Sequence, residues 1–230
     1  MFMAKQKVTR KELLKKPDEF LTLSARAAIF VREHEKPFTY AGIALLAVVV
    51  IYLGINTYLN HLNRKGQSAY NAAYYDLMAR MNEKGEQKKL EKPEALFQEV
   101  MTEYGRSKVS RLAPPQVAFL KFQDKKYDEA IALYLQFVKD VPQASPYRSL
   151  ADLALAACYE EKGDLQKAIE RLKDVISSSG GAFKEQAMFS LARVYTLSNQ
   201  KEKAKEILQD LVDTYPASPH LPMAKARLGE

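Results

Sequence analysis

A single cysteine, Cys158, occurs in 230 residues, which excludes an internal disulfide framework and a cysteine-rich metal site. Histidine is nearly as scarce. His34, His61 and His220 are spread from one end of the chain to the other, too far apart to act as one catalytic set. The phosphate-cradling G-x-x-x-x-G-K-[ST], H-E-x-x-H and G-x-S-x-G patterns are missing. Cys158 stands between Ala157 and Tyr159 with no histidine partner in sequence, the setting of a small packing residue rather than a nucleophile. The expectation is a protein that is not an enzyme, with no cofactor, no metal and no small-molecule substrate.

The absence that organises the chain is one of charge. Between Lys36 and Arg64 there is no lysine, arginine, aspartate or glutamate, and the run Phe38–Leu59 reads FTYAGIALLAVVVIYLGINTYL. As a helix it extends about 33 Å, against a hydrocarbon core of about 30 Å. A cleaved secretion signal would have a shorter apolar core near the start and a small-x-small site after it; this run follows a long polar segment and precedes INTYLNHLNRK. Residues 38–61 are therefore expected to form a retained transmembrane helix. Tyr40, Tyr52 and Tyr58 lie toward its ends or one turn in, where an interfacial aromatic belt would place them.

Nine basic residues precede the run (Lys5, Lys7, Arg10, Lys11, Lys15, Lys16, Arg26, Arg32 and Lys36), whereas only Arg64, Lys65 and Arg80 follow closely. The richer flank stays cytoplasmic, so the tail 1–37 is expected inside and the domain 62–230 outside the cytoplasm. The net charge of +7 divides into +4 for residues 1–36 and +3 for the rest. A basic tail beside a span fits anionic lipid headgroups and calls for no nucleic acid. Within the tail, Phe20, Leu23, Ala27 and Phe30 or Val31 recur at helical spacing behind Pro17, Asp18 and Glu19, which favour a helix start; the spacing predicts a short amphipathic helix that lies in the headgroup layer, docks on a membrane partner or merely orients the span. Pro37 predicts a bend before the span.

Beyond the span no strand-like alternation of any length occurs, and the expected class is all-α. Tyr70, Ala73, Tyr74, Leu77, Met78 and Met81 make one helical stripe; after a charged loop, a second helix opening at Pro93 carries Leu96, Phe97, Val100, Met101 and Tyr104 and stops at Gly105, giving a hairpin over 66–105. The rest repeats. Segments 125–142, 163–180 and 199–216 align on Ala130, Ala168 and Ala204, which are 38 and 36 residues apart. Twelve positions before each stands Ala118, Ala156 or Ala192, and four after each stands Tyr134, Leu172 or Leu208. Tyr159 and Tyr195 occupy matching positions in two units, where the first unit has Lys121; Pro142 and Pro216 close two units, and SSSGG ends the middle one. Small residues at both alanine positions let two antiparallel helices approach, and proline ends the second because it lacks an amide donor.

This pattern resembles the tetratricopeptide repeat, closely over 112–216 and more loosely over the hairpin and a terminal helix at 219–228. The resemblance implies a right-handed solenoid after the transmembrane helix, with repeats over 112–142, 150–180 and 183–216. It also implies a concave face lined by first helices. Carried over by phase, that face points to Phe119 and Phe122, then Leu153, Ala157 and Glu160, then Phe189 and Arg193 as a partner-binding groove. Either these aromatics are exposed to an apolar peptide, or the domain's own terminal helix or a neighbouring hairpin covers them. Some tetratricopeptide domains hold a peptide's terminal carboxylate with lysine and asparagine on that face; those residue types are missing there, so recognition of an acidic terminus is not expected. The whole layout, one span and a repeat array, resembles the ancillary Sec-translocon subunit (YfgM-like) family of the bacterial inner membrane. That resemblance implies a periplasmic, inner-membrane adaptor whose protein partners are a membrane complex or an unfolded, translocating polypeptide. The alternative is a structural accessory or assembly subunit of a larger inner-membrane complex.

Overall fold

A computed structural model describes residues 19–82, 90–178, 181 and 183–229. Pro17, Asp18, most of the charged loop after Asn82 and part of the SSSGG segment lie outside the described residues. Among the described residues every regular element is helical. The chain divides into two compact units at Tyr58 and Leu59.

In the first unit, α1 (Glu19–Glu33) is followed by the start of α2 (Glu35–Asn82). The interruption falls at His34, ahead of Pro37, which sits in the first turn of α2. Proline is tolerated there because first-turn amides have no partner inside a helix. Without an amide on Pro37, the Glu33 carbonyl loses its donor four residues on, while Phe38 still donates to the His34 carbonyl at 3.2 Å. Phe30 contacts both the His34 and Phe38 rings, at 4.5 and 6.0 Å between centroids. From Ile43 to Ile55 the large apolar side chains are all exposed. Helix α2 is long and apolar enough to cross a membrane.

The second unit begins inside that same helix, so the first arm of the expected hairpin is the continuation of α2 rather than a separate element. The second arm is α3 (Glu91–Thr102). Ala73 and Leu77 from α2 bury against Phe97 and Val100 from α3, with Tyr70 edge-on to Phe97 at 5.4 Å. At Gly66 the chain crosses closely: a Cβ there would lie 2.6 Å from Ser107 Oγ and 3.2 Å from Tyr104 Cβ. One turn earlier, Asn63 Oδ1 accepts the Lys108 amide at 2.8 Å. These contacts clamp α2 to the loop and the 3-10 turn Lys108–Leu112 that precede α4.

Three helical pairs follow: α4 (Ala113–Gln123) with α5 (Tyr127–Asp140), α6 (Pro146–Glu161) with α7 (Leu165–Ser177), and α8 (Lys184–Leu197) with α9 (Lys201–Thr214). Helix α10 (Leu221–Leu228) closes the stack. The six alanines that define the repeat, Ala118, Ala130, Ala156, Ala168, Ala192 and Ala204, are all buried in one continuous cluster. Each pair turns through one residue of positive φ at the same phase: Lys125 at 60°, Gly163 at 80° and Asn199 at 60°. The next amide then reaches back five residues, Lys126 to Lys121, Asp164 to Tyr159 and Gln200 to Tyr195, at 2.8–2.9 Å. That contact satisfies a carbonyl at each helix end, as a left-handed cap does.

One buried charge stands in the middle pair. The Asp152 carboxylate receives Arg148 Nε at 2.9 Å and faces Arg171 Nη1 at 3.6 Å, while Arg148 Nη1 also donates to the Val138 carbonyl at 2.5 Å. A single carboxylate thereby joins α6 to the end of α5 and to α7.

Candidate functional site

Between α4 and α6 the surface opens into a groove of about 470 Å³. Its floor is Tyr134 and Phe137 of α5, and its walls carry Phe119 and Leu112 on one side and Tyr147 and Leu150 on the other. The groove is mainly apolar and keeps few polar groups. Tyr147 is 58% and Leu150 46% exposed, whereas Tyr134 and Phe137 are buried. Rigid aromatic walls over a buried aromatic floor suit an apolar side chain inserted from outside, and burying the half of each wall residue that is exposed would contribute about 1 kcal/mol.

At one end of the groove Tyr70, from α2, meets Gln116. Burial raises the Tyr70 hydroxyl above the usual phenol range; a hydrogen bond with Gln116 opposes that, and the nearby Tyr74 and Tyr147 add to it. Burial likewise pushes the Tyr134 hydroxyl up. Both phenols are neutral at physiological pH, so neither brings charge to the groove.

The expected site residues divide. Phe119 lines the groove. Phe122 instead packs half-buried against the main core, its ring 5.5 Å from that of Tyr127. Leu153 packs against the core, Ala157 is half-buried beside it, and Glu160 forms an ion pair with Arg193 across the first helices of successive pairs. Burial raises the Glu160 carboxyl above its usual range, with Arg193 opposing. Phe189 is covered from within the same chain: His220 stacks on it at 5.0 Å with ring planes 9° apart, and Arg227 Cζ lies 4.6 Å from its centroid. The three phenylalanines therefore do not form one open groove, because the terminal helix returns over the third.

Phase alone found only Phe119 of this groove; among the residues it missed are Tyr70, Tyr147, Leu150 and Ala154. A signal for the last three existed. Ser145-Pro146 is a helix start, and counting from it puts Tyr147, Leu150, Ala151 and Ala154 on one stripe, a neighbour of the Leu153–Ala157 stripe. For Tyr70 no such signal exists, since its helix lies outside the regular repeat.

Cys158 is fully buried in α6, and burial pushes its thiol up to about 11. At neutral pH it is a protonated, inaccessible packing group.

Paired helices, paired alanines and an aromatic groove between first helices define a tetratricopeptide-type protein-interaction scaffold. The chain belongs to the tetratricopeptide repeat-like domain family, which it matches over residues 37–179 and 131–218. No curated protein matches it. Among solved structures it is similar to a Podospora anserina kinesin light chain with nearly identical TPR-like repeats, at 19% identity and a TM-score of 0.58, covering 73% of this chain and 84% of that one. A second structure of those repeats covers 85% of its own length with the same identity and TM-score. At that identity the likeness is one of fold.

Proposed function

We propose that this chain is a single-pass membrane adaptor: residues 38–61 span the bilayer, the tail faces the cytoplasm, and the repeat domain engages protein partners outside it. In this reading the α4–α6 groove takes an apolar segment of a partner, and the site is the bacterial inner membrane beside the Sec translocon, where newly translocated polypeptides present such segments. The observation that carries the interaction role is the groove itself, with exposed Tyr147 and Leu150 standing over a buried aromatic floor. Support for the anchor comes from a helix whose apolar side chains have no protein around them and from the basic residues ahead of it. Water would penalise that surface at about 25 cal/mol per Å², and lipid would not.

The test is purification of the full chain in mild detergent, followed by mass spectrometry of wild type and of a Tyr147→Ser/Leu150→Ser variant. Both substituted residues are exposed, so melting should hold while partners are lost. Sec components and chaperones at substoichiometric levels support this reading. Partners in a fixed ratio, kept by the variant, point instead to an accessory subunit of a larger complex. Extraction of the full chain by salt or alkali without detergent overturns the anchor.

A further inference from the structure

A second groove, of about 410 Å³, lies at the other end of the stack between α8, α9 and α10. Four cations surround it, Arg193, Lys201, Lys205 and Arg227, with Leu197 and Leu208 between them and no carboxylate in its lining. Two of the four are committed elsewhere: Arg193 to Glu160 and Arg227 to the face of Phe189. Lys201 and Lys205 are exposed and make no ion pair among the described residues. Leu197 is 57% exposed beside them.

Lys201 also sits in the first turn of α9, where free amides and the helix dipole already make the potential positive. The same turn also carries Glu202, which does not line the groove, so the charges that face the groove are the cations alone. A groove with uncompensated positive charge around an apolar strip is complementary to a segment that alternates carboxylates with an aliphatic anchor.

We propose that this groove binds an acidic amphipathic segment of a protein partner, through aspartate or glutamate side chains on Lys201 and Lys205 and an aliphatic side chain against Leu197 and Leu208. This rests on reading the domain as a protein-binding adaptor and adds a second, charge-selective site to it. Recognition runs through side chains along the segment, so a peptide's terminal carboxylate is not required.

The probe is a fluorescein-labelled, C-terminally amidated peptide of about 14 residues with leucines at helical spacing among glutamates, titrated against the full chain in zwitterionic detergent. Fluorescence anisotropy should show binding that weakens severalfold between about 50 and about 300 mM salt. Lys201→Glu/Lys205→Glu should weaken it by about tenfold or more, and Leu197→Ser should weaken it with the charges intact. A peptide with lysine in place of every glutamate should not bind. Tyr147→Ser/Leu150→Ser should leave this binding unchanged, so loss of the first groove and loss of this one are read separately. Equal affinity for the charge-reversed variant overturns the proposal, as does no binding of the acidic peptide at low salt. Loss of binding when anionic phospholipid is added to the micelles overturns it in favour of a lipid headgroup ligand.

Discussion

The first helical pair and the two after it fill one structural position with opposite chemistry. In the second and third pairs Tyr159 and Tyr195 project from the first helix, and a lysine from the second helix, Lys167 or Lys203, lies 5.3 or 5.6 Å from the ring centroid. In the first pair the tyrosine position is Lys121, and the position of those lysines is Glu129, joined to it at 2.9 Å. The sign of the contact is reversed while its geometry is kept. The difference lies in the neighbour. Tyr159 and Tyr195 each continue a stack of like pairs, whereas Lys121 also faces α3, which supplies Glu94 at 2.8 Å. A side chain that must reach a helix outside the repeat is better served by a long cation than by a ring.

The regular region is broken most severely at Asp152. Its carboxylate is buried and touches two arginines, so Asp152→Ala leaves Arg148 partly buried without a counter-charge and Arg171 with Asp174 alone. Removing one partner of a buried pair costs about 3 kcal/mol or more. Chemical denaturation should show that loss at neutral pH, with Asp152→Asn recovering only a part of it.

The irregular layer has its own weak point at Gly66. Adding a methyl group there meets both the side chain of Ser107 and Tyr104 Cβ, and overpacking of this kind costs about 1–3 kcal/mol. Because stacked repeats couple mainly to their neighbours, Gly66→Ala should loosen α2, α3 and α4 and leave the last two pairs intact. Hydrogen exchange by mass spectrometry should show faster exchange confined to that layer. Ser107→Gly in the same chain should restore part of the protection, since it removes the two nearest atoms the new Cβ would strike and leaves only Tyr104 Cβ.

Next in size is the ionic contact itself. Lys121→Met should cost about 1 kcal/mol, because both Glu94 and Glu129 lose their shared cation near the surface. Acid should sort the two regions in the same order. Arg80 and Lys92 hold the Asp76 carboxyl below its usual range, and Lys121 does the same for Glu129. A depressed carboxylate stabilises the fold above its unfolded pKa, and that contribution is lost as pH falls through the folded value. Exchange in α2–α5 should therefore rise below about pH 4. Burial dominates at Glu160 and shifts it the other way, so the α6–α8 contact should show no such acid loss. Uniform loosening of all pairs on acidification would break the comparison.

Most of the repeat was legible because it is one-dimensional: paired alanines at fixed phase require close helices whatever else changes, and all six are buried. The long apolar helix was legible because a run this long without charge, bounded by charged residues on both sides, stands out from any other stretch of the chain. The groove was legible only in Phe119. Phase identifies which helices face inward, but the stripe that opens depends on where each helix starts, and α6 starts at Pro146, ahead of the expected 150. The cover on Phe189 was one of two outcomes the sequence left open, and it is set by the path of residues 215–228, where no repeat constrains the chain. Asp152 carried no signal, since a mid-helix aspartate in sequence reads as surface; only the return of Arg171 from α7 makes it interior.

The smallest effect runs in the stabilising direction and tests whether the three turns are equivalent. Lys125, Gly163 and Asn199 all hold positive φ and precede the same reach-back amide bond, so one backbone geometry is imposed on three side chains. Glycine adopts it freely, asparagine tolerates it, and a lysine carries the clash of its Cβ with the backbone. Lys125→Gly should then raise stability, with relief of that clash partly offset by glycine's larger entropy when unfolded; the net gain is about 0.5 kcal/mol. Gly163→Lys should lower stability by a comparable amount, because open space around Gly163 leaves backbone strain as the only penalty. Thermal melts of the two variants should move apart in opposite senses. If both fall, the first turn draws something from the Lys125 side chain that the other two do not need, and the equivalence of the pairs ends at their alanines.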